Sequence, residues 1–144
     1  MNYQVGKTGR VVVARFEDGE DVLGGIQKIA ADEEIRAAVV YLIGGMKQGR
    51  FVVGPEKEQL PPRPVWRQLD ESHEVLAIGT IFHEGDVPKV HLHGAFGKGD
   101  AARVGCLREQ SETFLVLEAV IMEIDNVLAR REPDPASGLS LLKL

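Results

Sequence analysis

Two long apolar runs constrain this chain more than any other feature. "IRAAVVYLIGGM" (Ile35 to Met46) and "TFLVLEAVIMEI" (Thr113 to Ile124) are dense in aliphatic residues. Both fall short of the roughly 20 apolar residues that a membrane-spanning helix needs. Their content of valine and isoleucine suits strands. The first reads as a strand buried on both faces and ending at the Gly44-Gly45 break. Shorter strands are expected at "RVVVARF" (Arg10 to Phe16), "GRFVVG" (Gly49 to Gly54), "HEVLAIGTIF" (His73 to Phe82) and "KVHLHGAF" (Lys89 to Phe96). "HEGDVP" (His83 to Pro88) reads as a turn that makes the last two a hairpin, and the tail "PDPASGLSLLKL" offers a turn and a final strand.

Between the first two strands the period changes. Val22, Ile26, Ile29 and Ala30 fall on one helical face, behind Asp18 as N-cap and the acids Glu20 and Asp21. A short second helix is expected over Cys106 to Glu112. The proline-rich "PEKEQLPPRP" (Pro55 to Pro64) is a surface loop, and "PPRPVWR", with its arginines and Trp66, could meet an acidic or nucleic partner or simply be solvated. No repeat or heptad pattern appears. The fold class expected is α+β: a single compact domain spanning 1–144, with an antiparallel-rich mixed sheet, one main helix and a short second one.

Charge and cysteine content narrow the function. Seventeen basic residues against 22 acidic give a net charge of -5, whereas affinity for DNA phosphates draws on a basic excess. The single cysteine, Cys106, forbids an intrachain disulfide. The N-terminal stretch has no apolar core of the length that a secretory leader needs. A cytoplasmic setting with a reduced thiol is expected, with no membrane segment.

Two of the four histidines, His91 and His93, sit in one tripeptide. Side chains alternate along a strand, so both imidazoles point to one face while Val90 and Leu92 point to the other. A His-x-His pair of this kind can hold one late transition metal. Cys106, thirteen residues after His93 across a glycine-rich connection, is a candidate third ligand, because zinc accepts nitrogen and thiolate together. The same residues also fit a solvated strand face and a small buried thiol. His73 and His83, at strand ends, read as surface residues, although His83 could approach the pair across the hairpin. "GKGDAARVG" lacks the lysine-serine ending of a phosphate loop, and no Gly-x-Ser-x-Gly elbow is present.

The order of the motifs resembles the plants-and-prokaryotes conserved (PPC) domain. The matching pieces are "GEDV" after the first strand, "HEVLAIGTI", the His-Leu-His strand "KVHLHGAFG", "GCL" where the family usually has Gly-His-Leu, and the closing "SGLSLLKL". The resemblance implies an α+β fold, a homotrimer, a DNA-binding label in prokaryotic members, and a metal site at the hallmark histidines. Here Cys106 stands where the third histidine would be, which keeps a ligand-capable side chain. The AT-hook of the plant proteins is missing: Gly9-Arg10 is followed by valine, and Pro62-Arg63-Pro64 lacks its flanking glycine and arginine. The expectation is thus a homotrimeric PPC-like domain with a zinc site at His91, His93 and Cys106, a regulatory or architectural role, and nucleic-acid contact that is weak or indirect. A small zinc enzyme, with Glu74, Glu84 or Glu118 as general base, and a pure assembly module are the rival readings.

Overall fold

Residues 1–144 are all described by the computed structural model. The expected strands form, several of them longer than their apolar cores. β1 covers Lys7–Glu17, α1 Val22–Asp32, β2 Ala37–Pro55, β3 Pro64–Leu69, β4 His73–Glu84, β5 Val87–Lys98, β6 Ala101–Asp125, β7 Arg130–Asp134 and β8 Leu139–Lys143. The main sheet runs β1-β6-β5-β4-β2-β3, and β6 also pairs with β2. Strands β2, β4, β5 and β6 therefore close into a ring, with β1 and β3 added outside it. β7 and β8 form a separate two-stranded sheet.

Closure gathers the apolar faces inward. Val40 and Leu42 of β2, Ala77 and Ile81 of β4, Leu92 and Phe96 of β5, and Leu117 and Ile121 of β6 share one core with Val22, Ile26 and Ala30 of the helix. The helix thus covers the ring on one side with a single apolar stripe.

Four features differ from the sequence expectations. Every pairing is antiparallel, so the sheet is not mixed, and one helix among many strands makes the fold sheet-dominated rather than a balanced α+β. The second helix over Cys106 to Glu112 is absent. That stretch lies inside β6, which pairs with β5 through Leu107 and Cys106 and with β2 from Cys106 to Glu123. Pairing with β2 along the stretch, joined by β5 at Cys106 and Leu107, outweighs any local helical tendency. The Gly44-Gly45 break is a bend within one strand. Gly44 has φ +140°, and a Cβ there would lie 2.5 Å from the Val116 carbonyl oxygen, so the position requires glycine. Finally, Asp21 caps the helix instead of Asp18, accepting from the Gly24 amide at 3.1 Å. Asp18 accepts from the Leu115 amide and pairs with Lys47.

Candidate metal centre

The ring places its second face outward, and the strand register sets what that face carries. Thr80 of β4 lies opposite His91, and Ile78 lies opposite His93. His93 in turn lies opposite Cys106 of β6. Directly opposed residues of an antiparallel pair share a face, so His91, His93 and Cys106 come together without a loop. Leu92 and Leu107, one step along, point into the core. Gly79 lets the strands approach: a Cβ there would meet the His91 carbonyl oxygen at 2.6 Å.

One donor atom from each of the three side chains, a ring nitrogen of each histidine and the Cys106 sulfur, lies within 4.8 Å of the others. The two imidazoles meet edge to face, with His91 Nε2 3.2 Å from His93 Nε2. His91 is half-buried, His93 exposed and Cys106 buried. Zinc–imidazole bonds of about 2.0–2.1 Å set two nitrogens of a tetrahedral site about 3.3 Å apart, so the spacing of the pair fits such an ion. The donor set of two imidazoles and one thiol is one zinc accepts.

Burial and, after it, nearby cations set the electrostatics of the cluster. Arg131 of β7 donates from Nη2 to His91 Nδ1 at 3.3 Å and to Thr80 Oγ1 at 3.3 Å. A guanidinium has no acceptor, so His91 Nδ1 is bare. In the neutral ring the proton then sits on Nε2, where it is donated to His93. Burial first, and then the charge of Arg131, lower the His91 pKa from 6.5 to about 4. Burial pushes the Cys106 thiol up, partly opposed by Arg108 and Arg131. A chain of net charge -5 thus carries a locally positive spot.

The other histidines do not join. His83, read as a surface residue, is buried: Nε2 donates to the Ile35 carbonyl at 3.0 Å, and Arg36 donates to Nδ1 at 2.9 Å. It ties the strand start after the helix to the end of β4. His73 donates through Nδ1 to the Glu71 carbonyl. Glu74, Glu84 and Glu118 lie outside the cluster as well. Glu84 is occupied by Ser140 and Lys89. A concavity of about 410 Å³ beside Tyr41, Phe82 and Met122 shares none of the three candidate ligands. Arg131 is the residue that sequence reasoning missed. It lies in a polar tail, and no motif announces it.

The model of the Plants and Prokaryotes Conserved (PCC) domain matches residues 3–125. The chain belongs to this family. Arg131 lies beyond the stretch matched to the PPC domain. Among solved structures, a metal-containing protein from Archaeoglobus fulgidus is similar at 21% identity and TM-score 0.87, with all of both chains covered. A PPC protein of Pyrococcus horikoshii is similar at 25% identity and TM-score 0.83, also over the whole of both chains. A "putative DNA-binding protein" from Ralstonia eutropha JMP134 has 20% identity and TM-score 0.76 over 92% of this chain and 90% of its own. No curated protein matches the sequence. These likenesses establish the PPC fold.

Proposed function

We propose that this chain is a metal-binding PPC domain that holds zinc through His91, His93 and Cys106 and works as a homotrimer in a regulatory or architectural role in the cytoplasm. The whole chain, 1–144, acts as one unit. The observation that carries the reading is the convergence of two imidazoles and one thiol, all within 4.8 Å, from register-paired strands. The metal-containing protein of A. fulgidus with the same fold supports it. Bound there, zinc would supply a Lewis-acidic centre with a coordination position left open by only three protein ligands. The strands hold the ligands in place, and Cys106 must give up its proton to bind.

The outer face supports assembly. Tyr41, Ile43, Leu76, Ile78 and Val104 project from it and are exposed. Register makes them neighbours: Tyr41 pairs with Ile78, and Ile43 with Leu76. Leu76 continues across Ala95 to Val104, and Ile78 continues to His93 and Cys106. A contiguous apolar face of this kind suits burial against another subunit, which would bring the metal centre to a subunit boundary. No carboxylate stands with the ligands as a general base, which favours binding over catalysis.

Zinc titration against a competing chelator tests the reading. One zinc per chain is expected, with Cys106→Ser weakening the affinity at least tenfold and His73→Ala leaving it unchanged. Equal affinity in all three proteins would overturn it.

A further inference from the structure

Arg131 is half-buried and has no carboxylate partner. The ion pairs formed by arginines engage Arg10, Arg15, Arg36, Arg50 and Arg130, and neither Arg131 nor Arg108 is among them. The three acceptors of Arg131 are the His91 ring, the Thr80 hydroxyl and the Ser140 carbonyl, all of them neutral. A guanidinium drawn partly out of water normally finds an anion. Arg108, exposed and two residues after Cys106 in β6, makes no side-chain hydrogen bond or ion pair, and its charge acts on His91, Cys106 and Arg131.

We propose that Arg131 and Arg108, with the zinc-loaded His91, His93 and Cys106, form a receptor for a small oxyanion, a carboxylate or a phosphate group. The inference rests on the metal-binding reading above. Charge supports it: a divalent ion with one thiolate keeps a net positive charge, two guanidiniums add to it, and no acidic side chain joins the three ligands to offset it. Shape supports it too, since the planar fork of arginine matches both carboxylate and phosphate oxygens in bidentate fashion. Hydrogen-bond chemistry links the two sites. With His91 Nε2 given to a metal, the neutral ring carries its proton on Nδ1, which can no longer accept from Arg131. With a metal bound, the guanidinium would be released from His91 and free to take an oxyanion. Anion binding should therefore depend on metal, and the β7-β8 tail should serve as the arm that brings the cation to the site.

The test is calorimetric titration of the full chain with inorganic phosphate and, separately, with acetate, after zinc content has been measured on the same samples. We expect the zinc-loaded protein to bind one anion per chain by phosphate or acetate, and Arg131→Ala to weaken that binding at least tenfold while retaining zinc and the wild-type circular dichroism. Arg131→Lys, which keeps the charge and loses the fork, should recover part of the affinity. Phosphate binding would identify a phosphoryl ligand, and acetate binding a carboxylate. Zinc-loaded protein that binds neither anion, or binds them equally well in Arg131→Ala, overturns the anion receptor and leaves the metal reading standing. Protein that takes up no zinc overturns both.

Discussion

At the scale of residues, the proposed centre would set protons against metal for the same donor atoms. His91 is held neutral down to about pH 4 by burial and by Arg131, so its own proton is no obstacle at neutral pH. The Cys106 thiol is the opposite case: burial raises its pKa, so it is protonated at neutral pH and releases its proton on binding. Zinc affinity should therefore rise with pH by about tenfold per unit through the neutral range, with the thiol as the source of that slope. Titrations at several pH values would check this, and affinity independent of pH between 6.5 and 8 would contradict it. The histidine pair was legible in the sequence because alternation alone puts His91 and His93 on one face. Cys106 was a candidate from its spacing and thiol chemistry, and the resemblance strengthened it, but no local signal reveals that residue 106 lies opposite residue 93. Arg131 was not legible at all, nor was the burial of His83, because its partners, the Ile35 carbonyl and Arg36, are distant in sequence.

Elements position these residues through close strand approach. β5 carries both histidines and is held against β4 where Gly79 has no side chain. Gly79→Ala would drive a Cβ to 2.6 Å from the His91 carbonyl oxygen and 2.7 Å from Leu92 Cδ1. Backbone must move to relieve that contact, at a cost of about 1–3 kcal/mol. Thermal unfolding should show the loss, and the displaced β5 should also lower zinc affinity. An unchanged midpoint would contradict the packing described. The strands themselves were legible from apolar runs and alternation, as was the β4-β5 hairpin. Their continuity was not. β2 passes through two glycines because β4 and β6 pair it on both sides, and β6 continues through Cys106 to Glu112 because β2 pairs it there, with β5 joining at Cys106 and Leu107; such pairing leaves no mark in a local window. β3, which begins within "PPRPVWR" and runs on to Leu69, likewise exists because Phe51 and Val52 supply partners for Arg67 and Trp66.

For the whole molecule, the outward apolar face is the property with the largest consequence. Light scattering should give three times the 15.8 kDa chain mass, and Leu76→Asp, which puts a charge in the middle of that face, should shift the mass toward one chain. A wild-type monomer at micromolar concentration would end the trimer proposal. Binding to duplex DNA should be weak and lost as salt rises, because the net charge is -5. A sequence-specific mobility shift at nanomolar protein and physiological salt would contradict this. Composition conveyed the charge balance but not its local reversal, because Arg108 and Arg131 are far apart in sequence and meet at the cluster only through the fold.

Cobalt substitution tests the central claim most directly, since Co²⁺ reports its ligands by absorption. With His91, His93 and Cys106 as ligands, the cobalt-loaded protein should show a thiolate-to-cobalt charge-transfer band in the near ultraviolet and the visible bands of a four-coordinate ion. The charge-transfer band should vanish in Cys106→Ser and persist in His73→Ala. A spectrum without that band in the wild-type protein, or one unchanged by Cys106→Ser, would contradict the three-ligand centre.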